Sequence, residues 1–139
     1  MNPTELAELH ALAFSATRAW SAAEFANLLE HKGTFVVGDT RSFVLVRTVA
    51  DEAEVLTLAT HPKHRRKGLA RRELQAAEQT ATSYGATSMF LEVAEDNKPA
   101  ISLYNGAHYQ QVGRRPGYYL PKDGAPIAAF VLRKELAAT

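Results

Sequence analysis

One crossover governs what this chain can fold into. Three β-rich runs, Thr34–Val37, Phe43–Val49 and Glu54–Thr60, lead into a basic turn and then a long helical pattern that opens at Gly68. In that pattern Ala70, Leu74, Ala77, Ala81 and Tyr84 recur at steps of four, three, four and three, the mark of a core-facing stripe on an α-helix. Gly85 stands where a helix-ending glycine belongs, and Thr87–Val93 reads as another strand. A helix of this length between two strands makes the sheet parallel at that point. The three earlier runs are separated by Gly38-Asp39 and Asp51-Glu52, turn pairs that suggest an antiparallel meander.

The flanks complete the pattern. Leu6, Leu9, Ala13 and Phe14 fall at helical spacing over residues 3–14. Ser21 and Glu24 form a capping box, which opens a helix carrying Phe25, Leu28 and Leu29 on one face and ending near Gly33. Pro99 starts a short helix that runs through Tyr104 and stops at Gly106. Two strands, about 107–113 and 126–134, close the chain and are joined by a loop rich in proline, glycine and tyrosine. No repeat or linker interrupts residues 1–139, which predicts a single α/β (α+β) domain around a mixed sheet.

Composition removes several function classes. The 139 residues carry a formal net charge of +1, so no bulk polyelectrolyte attraction to nucleic acid is expected. Cysteine is absent, which excludes disulfides, a cysteine nucleophile and thiolate metal sites. The first residues lack a basic n-region and an apolar h-region, and no apolar run approaches the roughly 18 residues of a membrane span. A cytoplasmic protein with no membrane partner is the expectation; monomer and homodimer both remain open.

The chemistry concentrates between the third β run and the long helix. Residues 63–72 hold six lysines and arginines and no acid. A helix start presents unbonded amides and partial positive charge, which together attract phosphate, and Gly68 permits close backbone approach. A solvated basic helix start fits the same residues. His61 and His64 have metal-like spacing but no third ligand nearby, so no metal is expected.

Context favours the phosphate reading. The chain resembles the GNAT N-acetyltransferase superfamily, whose pyrophosphate loop has the form Arg/Gln-x-x-Gly-x-Gly/Ala; Arg65, Gly68 and Ala70 match its three fixed positions. Leu56 to Ala70 looks like that family's strand, proline-bearing turn and loop, and Leu91 to Tyr104 is similar to its next strand and short helix. The resemblance spans roughly residues 20–134 and implies a mostly antiparallel, twisted mixed sheet with helices on both faces. Within the superfamily the chain resembles the bacterial ribosomal-protein-alanine N-acetyltransferase group, through Trp20-Ser21, Leu91-Glu92-Val93, Leu103-Tyr104 and Arg114-Arg115 with Tyr118-Tyr119. That likeness implies acetyl-CoA as co-substrate, contacted by Leu58, Ala59, Thr60, Arg65, Arg66, Lys67, Gly68, Leu69, Ala70, Arg71, Asn97 and Tyr104. It further implies Glu92 as general base, Tyr104 as general acid, and Trp20, Tyr118 and Tyr119 on the acceptor side. The family's usual Gly-Phe after the tyrosine helix is here replaced by Gly106-Ala107-His108-Tyr109, and Pro116-Gly117 interrupts the tyrosine loop.

The implied roles make chemical sense. Acyl transfer needs a neutral amine, and an α-amine titrates near 7.7–8.0 against about 10.4 for lysine, so one carboxylate base suffices for the former. Adjacent tyrosines offer apolar walls with hydroxyls for a peptide backbone. The expected acceptor is therefore a protein or peptide α-amine, the alternatives being a lysine or a small polyamine. A catalytically silent acetyl-CoA-binding regulator and a nucleic-acid module are the rival classes. Glu92 as an edge-of-strand surface charge and Tyr104 as a half-buried helix aromatic are the plainer readings of those residues.

Overall fold

Capping chemistry sets the start of the first two helices. In the computed structural model, which describes residues 1–14, 19–119 and 124–136, α1 (Pro3–Ala13) opens on Asn2. The Asn2 side chain accepts from the Glu5 amide while the Glu5 carboxylate accepts from the Asn2 amide. The predicted box at Ser21 and Glu24 opens α2 (Ala22–Glu30) in the same reciprocal way, satisfying two amides that a helix start leaves unbonded. The pair buries Leu6, Leu9 and Phe25 against Phe43, Leu45 and Ala59 on one face of the sheet.

The meander comprises β1 (Thr34–Asp39), β2 (Ser42–Val49) and β3 (Glu52–Thr60), antiparallel throughout. Its turns are tighter than the sequence suggests: Thr40-Arg41 and Ala50-Asp51 rather than Gly38-Asp39 and Asp51-Glu52. The first is drawn in by Asp39, whose carboxylate accepts from the Arg41 amide at 2.9 Å and from its guanidinium at 2.8 Å. On the other face α3 (Leu69–Ser83) buries Leu74, Ala77 and Ala81 against Val44, Val46, Val55, Met89 and Leu91. Tyr84 departs from the expected stripe. It caps the helix, is about half exposed, and stacks its ring on Phe35 at 5.3 Å. Gly85 takes φ +97°, and the Gly85 and Ala86 amides close back onto Thr82 and Ala81, which stops the helix as predicted.

Beyond α3 come β4 (Ser88–Ala94), α4 (Lys98–Gly106), β5 (Gln110–Tyr119) and β6 (Ile127–Glu135), in the sheet order β1-β2-β3-β4-β6-β5. Only β3 and β4 pair in parallel among the described strands. The expected mixed, mostly antiparallel sheet with helices on both faces is what forms. The fifth strand is a correction: it begins at Gln110, not 107, and continues through Arg114–Tyr119, where a loop was expected. Pro116-Gly117 is absorbed as an irregularity, the register passing from Arg115↔Ala129 to Tyr119↔Ile127. An outer strand tolerates proline because the missing amide faces no partner.

The end of α4 resolves the departure at residues 106–109. His108 adopts φ +74°, the left-handed conformation that glycine favours. Its amide bonds the Asn105 carbonyl at 3.1 Å and the Tyr109 amide bonds Tyr104 at 3.0 Å, the two closing bonds of a Schellman motif. The Tyr104 and Tyr109 rings meet edge-on at 5.7 Å, the apolar contact that accompanies the motif. His108-Tyr109 thus fills the place of Gly-Phe, at a conformational cost of about 1–2 kcal/mol for a non-glycine residue. We expect His108→Gly to raise the melting temperature by a few degrees; thermal denaturation followed by circular dichroism checks this, and an unchanged or lower value contradicts it.

Candidate active site

The sheet opens between its two parallel strands. β3 and β4 pair only through Glu52↔Ser88, Ala53↔Met89 and Glu54↔Phe90. Past that point β3 stays with β2 as far as Thr60 and β4 stays with β6 as far as Ala94. The backbone of 55–60 and of 91–94 therefore faces a gap instead of a partner strand. A bulge contributes to the divergence. Leu45 pairs with Thr57 and Val46 with Val55, so Leu56 is an extra residue in β3 that bends it. Leu58, Ala59 and Thr60 form the end of β3 beside the gap. Leu58 packs into the α3 core, Ala59 into the α1–α2 cluster, and the Thr60 hydroxyl bonds Ser42 at 2.9 Å.

The basic loop closes one end of this gap. A single 3-10 turn, Pro62–His64, leads to Arg66 at φ +61° and Gly68 at φ +76°. No side chain caps α3, and a Cβ built at Gly68 would meet nothing within 4 Å, so the helix start looks onto open space. Arg65 is tied to the Ala13 carbonyl and Arg71 to the Gly106 carbonyl, each at 3.2 Å. These bonds fix the loop between the ends of α1 and α4. Arg66 and Lys67 are exposed, Leu69 is buried as the helix anchor, and Ala70 is half-buried. Uncapped amides and the helix dipole lie beside the exposed Arg66 and Lys67, the combination that attracts anions. Asn97 serves as the N-cap of α4, its side chain accepting from the Ala100 amide at 3.3 Å.

Three of the predicted residues, Glu92, Tyr118 and Tyr119, come together beside the far end of the gap. Met89, Leu91 and Val93 of β4 enter the α3 core, so by strand alternation Glu92 points to the opposite face. Its side chain is only 12% exposed. One oxygen, Oε1, lies 3.4 Å from the Arg115 guanidinium, while Oε2 is buried without a hydrogen-bond partner. Tyr119 donates its hydroxyl to the Glu92 backbone carbonyl at 3.3 Å. Tyr118 stands perpendicular to Tyr119 at 5.0 Å between ring centres. Burial raises the Tyr118 hydroxyl above its usual pKa, and the neighbouring Glu92 charge adds to the effect. Tyr104 is buried in the α3–α4 core. Its pKa is pushed well above the ordinary tyrosine value, chiefly by burial and then by Tyr119. For Tyr119, burial followed by Tyr118 raises the value to about 12. Glu92 and Tyr104 thus sit on opposite faces of the sheet, with Tyr119 touching both environments.

Other predicted residues lie elsewhere. Trp20 belongs to the helical layer, stacked on His10 at 5.1 Å and tilted against Phe25 at 5.6 Å. His61 caps the 3-10 turn through Nδ1, which accepts from the Lys63 amide. Among the described residues no group of three or more His, Asp or Glu is placed to hold a metal ion, and no helix is long and apolar enough to cross a membrane. In the sequence Arg115 is marked only as part of the stretch that carries the family likeness, and Glu54 is not singled out. Arg115 reaches Glu92 across the intervening β6, and Glu54 places its charge near Tyr118. Neither neighbourhood has a local sequence signal.

Known proteins agree with this architecture. The sequence profile of the acetyltransferase (GNAT) family matches residues 4–109. The chain is 33% identical over 138 residues to an uncharacterised protein of Mycobacterium leprae, covering 93% of this chain and 37% of that one. It is 31% identical over 94 residues to the ribosomal protein bS18-alanine N-acetyltransferase of Escherichia coli, covering 68% of this chain and 64% of that one. It therefore spans less than two thirds of the length of both relatives. In fold it is similar to the crystal structure of the E. coli ribosomal-protein-S18-alanine N-acetyltransferase, with TM-score 0.87, 23% identity, and coverage of 99% and 89%. It is similar too to NAA60 of Arabidopsis thaliana in complex with a bisubstrate analogue, with TM-score 0.82, 18% identity, and coverage of 100% and 97%. With three quarters of its length matched by the family profile, this chain belongs to the GNAT acetyltransferase family.

Proposed function

We propose that this chain transfers the acetyl group of acetyl-CoA, the co-substrate of GNAT enzymes, to a primary amine, preferentially the N-terminal α-amine of a protein or peptide. The observation that carries the reading is the split between β3 and β4. It is bounded at one end by the uncapped start of α3 and at the other by Glu92 and Tyr104 on opposite faces. A ligand lying in the split is within reach of both faces, and the residues there fit this one. The α3 amides with Arg66, Lys67 and Arg71 would hold the pyrophosphate, and the unpaired backbone along Leu58–Thr60 would hold the amide-bearing arm. When bound, acetyl-CoA supplies an activated acetyl thioester.

The protein's part is positioning and proton movement. The amine enters from the Glu92 face, where the largely buried carboxylate takes its proton directly or through a water. Tyr104 holds its proton at neutral pH because burial disfavours the phenolate, and is the residue that would supply a proton to the leaving thiol. Tyr118 and Tyr119 wall the acceptor entrance. The preference for an α-amine follows from its larger neutral fraction near pH 7 and accords with two relatives. These are the E. coli alanine N-acetyltransferase and a Saccharolobus solfataricus N-alpha-acetyltransferase 33% identical over 79 residues. A cytoplasmic setting goes with this reading. The test compares kcat/KM at equal concentration for short peptides with free Ala, Ser, Gly or Met termini, an N-blocked lysine peptide and spermidine. Free-terminus peptides are expected to lead by tenfold or more. A tenfold lead for the blocked lysine peptide or spermidine overturns the acceptor assignment, and turnover with none of them, despite acetyl-CoA binding, indicates a silent regulator.

A further inference from the structure

We infer that Arg115 is a positioning residue for Glu92: by pairing with Oε1 it fixes the orientation of the carboxylate that takes the acceptor's proton. The inference rests on Glu92 being the base.

Three observations support it. The two carboxylate oxygens are in different states, Oε1 being 3.4 Å from the Arg115 guanidinium while Oε2 is buried and unpaired. Arg115 is itself held, since its guanidinium lies 5.5 Å above the Tyr118 ring, a cation–π geometry. Tyr118 is braced by Tyr119, which is anchored on the Glu92 backbone carbonyl. The route from β5 to β4 crosses β6, a span of roughly 10 Å between strands that suits a long arginine side chain. The last regular pairing of β5 before its irregularity, Arg115↔Ala129, sets that reach.

The electrostatic surroundings are defined by few groups. Tyr118, whose hydroxyl faces the Glu92 carboxylate at hydrogen-bonding range, and Tyr119 approach from β5, and Glu54 of β3 places its charge near Tyr118. Glu54 is itself paired with Arg47 of β2 at 3.1 Å. Arg115 is the cation in salt-bridge range of Glu92 among the described residues. It is 61% exposed, so its attraction is screened, and what it gives Glu92 is a fixed orientation of the carboxylate.

The experiment measures steady-state rates at about pH 8, where much of the peptide α-amine is neutral, with acetyl-CoA and the best peptide acceptor, for wild type, Arg115→Ala, Arg115→Lys and Glu92→Gln. For Arg115→Ala kcat should fall about tenfold, while KM for the peptide should stay within about threefold. Arg115→Lys keeps a cation and should recover about threefold or more of that loss. Three results overturn the inference while leaving Glu92 as base, provided Glu92→Gln lowers kcat. These are an unchanged kcat in Arg115→Ala, a lower melting temperature as its only change, and an Arg115→Lys kcat no better than the alanine variant's. If Glu92→Gln keeps a near-normal kcat, the base assignment itself fails.

Discussion

Tyr104→Phe should lower kcat by about 100-fold or more while the melting temperature stays within a few degrees of wild type. The magnitude is that of a general acid removed from a transfer step. The ring should keep its place, because what holds it is apolar: it is buried in the α3–α4 core and meets Tyr109 edge-on across the Schellman turn. Only the hydroxyl is lost, and burial keeps that hydroxyl protonated in the wild type. Glu92→Gln is the matching change on the other face. It preserves shape and should lower kcat, since an amide side chain does not take a proton from the acceptor amine. Near-normal kcat in both variants, with a good acceptor, would refute the acid–base assignment and leave the fold and the loop untouched.

Gly68→Val should remove the response to acetyl-CoA. At about 100 times its Kd, a ligand adds about 2.7 kcal/mol of stability, which for a domain of this size raises the melting temperature by several degrees. Gly68 sits at φ +76° with nothing near its absent side chain, on the uncapped end of α3. A valine there imposes backbone strain of about 1–2 kcal/mol and fills the space through which a phosphate reaches the amides. The variant's baseline melting temperature should therefore fall somewhat, and its shift with ligand should vanish. The quantity to read is the ligand-induced shift in differential scanning fluorimetry. No shift in folded wild type would defeat the co-substrate assignment, and a full shift in Gly68→Val would move the docking site off this loop.

The parts of the molecule that were readable in sequence are those that local chemistry decides. Ser21 with Glu24 specified the start of α2, Gly85 the end of α3, and the spacing of Leu74, Ala77 and Ala81 the buried side of that helix. Arg65, Gly68 and Ala70 marked the loop because their spacing is contiguous. Other features depend on residues brought together by the sheet. Arg115 meets Glu92 only because β6, the last strand in sequence, inserts between β4 and β5. Pro116-Gly117 reads as a loop, yet an edge strand accommodates both residues. His108 gave no sign of its left-handed conformation, since that is imposed by closure of α4 onto Tyr104 and Asn105.

The most direct test of the central claim uses one peptide that carries both a free N-terminal amine and an internal lysine. After incubation with the protein and acetyl-CoA, fragmentation mass spectrometry locates the added acetyl group. The account predicts enzyme-dependent acetylation on the α-nitrogen, lost in Tyr104→Phe and Glu92→Gln, with the lysine unmodified. Acetylation confined to the lysine, or an α-acetyl yield no greater than in the enzyme-free control, would contradict it.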